Sequence, residues 1–544
     1  MKTYLQLLFI VIFVQITTAQ TANSVLSTGD WYKFSVDTTG VFKIDKNLLE
    51  NIGISTNNLD PRYLKIFGNG GNLLPVLNSD FRNEDLQENA IYIEGEQDGV
   101  FNNSDFILFY AKGPHDWVVN PSLKTARHRQ NIYSDKAYYF ITVGNSEGKR
   151  ITTKPAITNP GQETLTTFTD FTFYEKEELN LLGAGTQWFF NDNFNIENTQ
   201  TFTIPFKNAV ANNPVFVRTR GVSNSVVSSE LAVKVNNTAI YTINFPAVSG
   251  GLTKALTAER SASFVNTSES IQIEMSYNNN GNPSANAYLD FIEIVGKKKL
   301  AANNNQFSFR SFQQFQASTS VAFQIANANQ IYQVWDVSNH LSPQIITNED
   351  TGNNFMFTDI GGILKEYIVL NATDFYTPET IKNAKVAHQN LHSLKDINYL
   401  IITNNELSSQ AKRLADYHQT NSGLTTKVVH LEEIYNEFAS GSRDITGIRD
   451  FLKHLYTTNT SEDTKLQYVC FFGDASYDYK DRILSNNNIV PVKLSENSFD
   501  LARSYVTDDF FVMLDAHEGT MLTSHTLDVA SSRIPVSDVA QAKD

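Results

Sequence analysis

Two stretches of the sequence concentrate groups that could do chemistry. In "VCFFGDASYDYKDRI", Val469 to Ile483, an apolar run ends at Gly473 and gives way to Asp474, Asp478 and Asp481. Carboxylates leaving a buried strand can orient a proton donor at the rim of a site, and they can equally cap the backbone of a turn. In "EGEQDGVFNNSD", Glu94, Glu96, Asp98, Gly99, the Val100 carbonyl, Asn102 and Asp105 stand at relative positions 1, 3, 5, 6, 7, 9 and 12. That is the spacing by which an EF-hand-type loop wraps calcium. Against it, Glu stands first where Asp is usual, a shorter Asp closes the set, and the flanks "AIYI" and "FILFY" read as strands rather than helices. An Asx/Gly turn stabilising a hairpin is the competing reading, and no other cofactor is implied.

Several further chemistries lack their residues. The sequence has no G-x-x-x-x-G-K-[ST] phosphate loop and no G-x-G-x-x-G after the first strand of its α/β segment. His388 and His392 in "HQNLH" are four apart but lack the glutamate of a zinc-protease helix, which leaves them as solvated or capping residues. Cys470 lies inside an apolar run, whereas a nucleophilic thiol needs access and a lowered pKa. The net charge of −15 argues against nucleic acid as a partner, because phosphate recognition needs a basic face.

These residues need elements to position them. At 544 residues, 41% hydrophobic and 19% charged, the chain is an ordered protein of two to four domains of ordinary size. "MKTYLQLLFIVIFVQITTAQ" has the layout of a secretory signal over 1–19, so the protein is expected to be exported. A single cysteine excludes an internal disulfide framework. From Trp31 to about Gln389 the dominant hydrophobic period is two: "YKFSVDTTGVFKID" reads as a hairpin, "LAVKVNNTAIYTI" as another, and Ile271, Ile273, Met275 and Tyr277 share a face. That region reads as one or two β-sandwich units, divided as a β-rich domain over 20–160 and a β-sandwich over 161–395. From 396 the pattern becomes strand ("YLIITNN"), helix ("ELSSQAKRLADYHQTNSG"), strand ("TTKVVHL"), helix ("RDITGIRDFLKHLY") and strand ("YVCFFGD"). This is the order of an α/β parallel sheet, whose functional rim lies at the carboxyl ends of the strands. Asp474 stands at such an end.

The stretches "NYLIITNNEL", "YVCFFGDASYD", "SYVTDDFFVML" and "LDVASSRIPVSDVAQA", in that order, resemble the start of a gingipain-type (family C25) cysteine peptidase domain. Upstream, "WYKFSVDTTGVFKI", "LKIFGNGGNLLPV", "DGVFNNSDFILFYAKGP" and "IYQVWDVSN" are similar to the β-rich region of type IX secretion sortases. The resemblance implies a caspase-like α/β domain, incomplete over 396–544, behind β-sandwich modules. It implies a cysteine-type peptidase that removes the C-terminal signal domain of exported cargo and joins the cargo to lipopolysaccharide through a thioester. The implied location is the outer membrane or cell surface, held there by type IX secretion components.

Asp528 matches the acid that orients the catalytic histidine in such enzymes, while Asp474, Asp478, Asp508 and Asp509 match rim positions. The catalytic histidine, in a Gly-His-Gly loop, and the nucleophilic cysteine lie downstream of "SRIPV" in the family. The chain is therefore expected to be an N-terminal fragment without peptidase activity of its own. The alternative is an exported, non-catalytic docking module of a surface complex.

Overall fold

The structure, a computed structural model, describes residues 22–157 and 163–543; the signal sequence expected over 1–19 lies outside them. Alternation builds three pairs of facing sheets, rather than one or two. In the first, a five-stranded sheet containing Trp31–Val36, Ala137–Val143 and Leu64–Phe67 covers a three-stranded sheet of Gly40–Asp45, Phe106–Ala111 and Ile91–Glu94. Trp31–Val36 and Gly40–Asp45 do not form the hairpin that their spacing suggests: the first pairs with Ala137–Val143, the second with Phe106–Ala111. The turn between them crosses from one sheet to the other, which lets Phe34, Val36, Phe42 and Ile44 all enter one core. Strand Glu379–Val386 then returns to pair with Trp31–Val36, immediately ahead of the α/β segment.

The sandwich proper is a pair of four-stranded sheets. Thr167–Glu175, Ala287–Lys299, Pro214–Ser223 and Leu256–Val265 face Thr199–Pro205, Ser270–Asn278, Ser229–Val235 and Thr238–Phe245. Here the expected hairpin forms. Ser229–Val235 pairs with Thr238–Phe245 across Asn236 and Asn237, whose φ angles of 47° and 67° suit the tight turn that asparagine tolerates. Ile271, Ile273 and Met275 point into its core. A third pair, built around Val321–Ala326, Gln333–Asp336 and Tyr367–Leu370, stacks Phe309, Phe323, Phe357 and Tyr367 between its sheets.

The C-terminal segment is a four-stranded parallel sheet ordered Thr426–His430, Tyr399–Thr403, Tyr468–Phe472, Ala530–Ile534. Tyr399–Thr403 is buried at every residue because both faces are covered, as a parallel sheet requires. Ile401, Cys470 and Phe472 meet Leu407, Ala411 and Ala415 around helix Ser408–Ser422. Leu400, Ile402 and Phe471 meet Ile434, Ile448 and Leu452 of helices Leu431–Phe438 and Ile445–Thr457. The first helix stops at Gly423 with φ +68°, and Asp444 caps the third by accepting from the Thr446 amide.

Candidate functional site at the carboxyl edge of the parallel sheet

The helix that follows Tyr399–Thr403 packs on one face of the sheet, and those that follow Thr426–His430 pack on the other. A crevice therefore opens at the carboxyl ends of the strands, where the chain directions diverge. It encloses about 290 Å³ and is lined by Asn404, Asn405, His430, Arg443, Tyr479 and Asp481 among others. Arg443 Nη1 and Asp481 face each other at 3.0 Å across it.

The loop leaving Tyr468–Phe472 forms one wall. Gly473, at φ +153°, starts it where a Cβ would lie 2.6 Å from the Ile489 side chain. Asp474 ties three segments together. Its carbonyl accepts the Ile489 and Val490 amides, and its amide donates to Val536. Its carboxylate accepts from Asn487 Nδ2 at 2.6 Å and Ser537 Oγ at 3.2 Å. Asp478 is fully buried and accepts the amides of Lys480, Arg482 and Ile483 together with Arg482 Nη1 at 3.1 Å.

Asp508 meets Arg533 in a bidentate pair at 2.8 and 2.7 Å, and the same guanidinium donates to the carbonyls of Gly473, Val490 and Pro491. Arg533 was not singled out in the sequence. The available signal was the lone cation of strand Ala530–Ile534, whose half-buried position favours an anionic partner. Asp509 is exposed, and its amide donates to Thr507 Oγ1.

Asp528 does not join these residues. It precedes strand Ala530–Ile534 and so lies at the opposite, amino edge, roughly 15 Å away along strands that rise about 3.3 Å per residue. There its carboxylate accepts the Leu514 amide at 2.8 Å, and burial, with Asp515 and Glu518 nearby, raises its pKa. Cys470 is buried in the sheet, and burial pushes its thiol pKa upward, away from the thiolate that nucleophilic attack requires.

The carboxylates of the calcium-type loop are taken up by separate partners. Glu94 accepts from Tyr92 and Tyr332, Glu96 meets Arg150 Nε at 2.8 Å, and Asp98 accepts the Val100 amide and Asn102 Nδ2. Asp105 turns inward to accept the Asn102 amide at 2.7 Å, in the space a Cβ on Gly95 would fill. Among the described residues, the acids and histidine whose ligand atoms come within 4.8 Å of one another are Asp515, His517 and Glu518, a group the sequence did not suggest. Both Glu518 oxygens already accept amides there, from Asp515 and Thr526.

His392 is neither solvated nor a cap. It is buried against Glu437 at 2.6 Å, stacked on Phe438 with ring centroids 4.5 Å apart, and its other nitrogen reaches the Glu84 carbonyl. Burial opposes its charge, but the Glu437 carboxylate outweighs it and raises the pKa.

Residues 392–544 match the family model of peptidase family C25. The match covers the α/β segment and none of the β-rich units before it. The crystal structure of dimeric latent PorU from Porphyromonas gingivalis shares the fold with a TM-score of 0.82 at 22% identity, over 96% of this chain. This chain spans 49% of that protein. Carbohydrate-binding module CBM36 in complex with calcium and xylotriose matches 23% of this chain and 98% of its own, at 14% identity and a TM-score of 0.16. CBM35 from Cellvibrio japonicus Abf62 matches 24% and 97%, at 13% identity and a TM-score of 0.17. No curated protein matches the chain.

The match to family C25 covers the α/β segment, and the agreement of fold with PorU extends over the β-rich units ahead of it. The matched residues begin at the buried His392. What the edge holds is a hydrogen-bonded platform: Asp474, Asp478 and the Arg533–Asp508 pair fix the loops, while Asn404, Asn405, His430 and Asp481 remain on the crevice wall.

Proposed function

We propose that the chain is the N-terminal part of a type IX secretion sortase, a cysteine peptidase that removes the C-terminal signal domain of exported cargo and transfers the new carboxyl end to lipopolysaccharide. The supporting observation is the agreement of fold with PorU over 96% of the chain together with the family C25 match. The chemistry is acyl transfer, with a thiolate attacking the scissile carbonyl, a thioester holding the cargo, and a histidine moving the protons. Cys470 is too buried to supply that thiolate, so in this reading the reacting pair lies outside the described residues, and the platform at the sheet edge supports it. Export through the signal sequence and attachment at the outer membrane through secretion components complete the reading. Among the described residues no helix is long and apolar enough to cross a membrane.

A second reading, a non-catalytic docking module, is favoured by the full structural use of the carboxylates of Asp474, Asp478 and Asp508. The coding sequence following Asp544 separates the two. The sortase reading expects a Gly-His-Gly loop and then an accessible cysteine there, and alanine at that cysteine in the full protein should leave cargo uncleaved. A stop codon at that point defeats it.

A further inference from the structure

The wall of the crevice is not held by the α/β segment alone. Lys480, whose side chain is 2% exposed, reaches Glu177 at 2.5 Å and Asp135 at 2.6 Å. Glu177 belongs to the stretch that follows strand Thr167–Glu175 of the sandwich, and its same Oε2 also accepts Arg482 Nη2 at 2.6 Å. The Arg482 guanidinium lies 4.4 Å over the Trp188 ring, and Tyr477 stacks on that ring at 5.7 Å and 16°. Trp188 is therefore flanked by two residues of the loop.

A second row of contacts runs beside the first. The Thr186 amide donates to the Ser495 carbonyl, the Gln187 amide to Ser498 Oγ, and Thr253 Oγ1 to Asp500. Gly185, at φ +73°, makes the approach possible, since a Cβ there would lie 2.0 Å from the Asn497 carbonyl oxygen.

These contacts reach the crevice through an unbroken series of bonds. Arg482 is shared between Glu177 and Asp478, and Asp478 holds the loop amides. Asn486 donates to the Asp478 carbonyl at 2.9 Å, and its neighbour Asn487 donates to Asp474 at 2.6 Å. Tyr479, Asp481 and Asn486 themselves line the crevice. Behind the clamp, Glu177 and Trp188 also line a cavity of about 530 Å³ between the units.

We infer that Glu177 and Trp188 of the sandwich are positioning residues for the crevice wall, so that the sandwich sets how far the loop 477–491 stands open over the parallel sheet. A single carboxylate serving two nearly buried cations makes Glu177 the point where the coupling is most easily cut, because its loss leaves both cations short of a partner. The inference rests on the proposed function only for what the crevice serves, not for the coupling itself.

Amide hydrogen exchange on the whole chain tests it without any cargo. In Glu177→Ala and in Trp188→Leu, the amides of Arg482, Ile483, Ile489 and Val490 should exchange at least tenfold faster, while Ile401, Ile402 and Phe471 in the sheet keep their rates. Glu197→Ala, at an exposed position of the same unit, should leave both sets unchanged. If Glu177→Ala does not fold, Arg482→Lys, which keeps the charge but loses the planar stack, should loosen the same loop amides by a smaller factor. Unchanged loop rates in these variants overturn the inference, and so does a uniform rise across loop and sheet, which would mark Glu177 and Trp188 as general stabilisers. Failure of the sortase reading would show in cargo processing and leave these rates as they are.

Discussion

In the sandwich, charge sits on a sheet face; in the parallel sheet, it sits at the strand ends. Arg218 and Glu293 are cross-strand partners within the sandwich, bonded at 2.7 Å, and His128 of strand Thr125–Arg129 docks between Glu293 and Glu175. In the parallel sheet Arg533, half-buried on the outer strand Ala530–Ile534, turns to Asp508 and to the three carbonyls at the edge. A half-covered antiparallel sheet can spend a face on docking another unit, whereas a sheet covered on both sides can present function only at its rim.

The largest test of this difference is Arg533→Leu. It strands a half-buried Asp508 and releases three carbonyls, and should cost about 3–5 kcal/mol in denaturant unfolding, the range for removing one partner of a buried pair. Arg218→Leu should cost clearly less, because Glu293 keeps His128. Equal losses would break the comparison.

The pH dependence comes next. Burial opposes the charge on His128, but hydrogen bonds to Glu175 and Glu293 outweigh it and raise its pKa to about 9. A histidine raised in the fold stabilises fully below its unfolded value near 6.5 and loses that contribution as the pH passes through 9. The melting temperature should therefore fall between pH 6.5 and 9, and His128→Gln should flatten the slope. The part that remains belongs to His392, raised in the same direction by Glu437 at the entrance to the parallel sheet. Asp290 acts in a lower window. Burial, against Arg220, lifts it to about 7, so its ionisation costs stability from about pH 4 upward. A slope unchanged in His128→Gln would remove the docked histidine from the comparison.

The parallel sheet was legible because unbroken apolar runs such as "YLIIT" and "YVCFF" alternated with helical spacing, and such strands can pair only inside an α/β core. Alternation in the β-rich units fixed which residues face inward but not which strand lies alongside. Trp31–Val36 finds Glu379–Val386, whose mostly exposed pattern carries no alternation at all. The calcium-type spacing stands in a different frame from that of an EF-hand. In an EF-hand two helices hold the loop open around an ion, whereas here Ile91–Glu94 and Phe106–Ala111 are paired strands that pinch it closed over Asp105. At the rim the sequence located Asp474, Asp478 and Asp508, but their roles depend on backbone amides and on Arg533, which no spacing along the chain reveals.

Asp528 gives the smallest expected effect and the sharpest boundary between the two edges of the sheet. Its carboxylate accepts one amide, from Leu514, and an asparagine oxygen can do the same. Asp528→Asn also removes a carboxyl whose pKa is already raised beside Asp515 and Glu518, so the loss of charge relieves repulsion rather than breaking a pair. Stability should change by no more than about 0.5 kcal/mol, the range for substitutions outside a buried network. Exchange at the amides of Ile483 and Val490, across the sheet, should not change. If those amides did respond, the two edges would be coupled through strand Ala530–Ile534 itself, and Arg533 on that strand would be the residue carrying the signal.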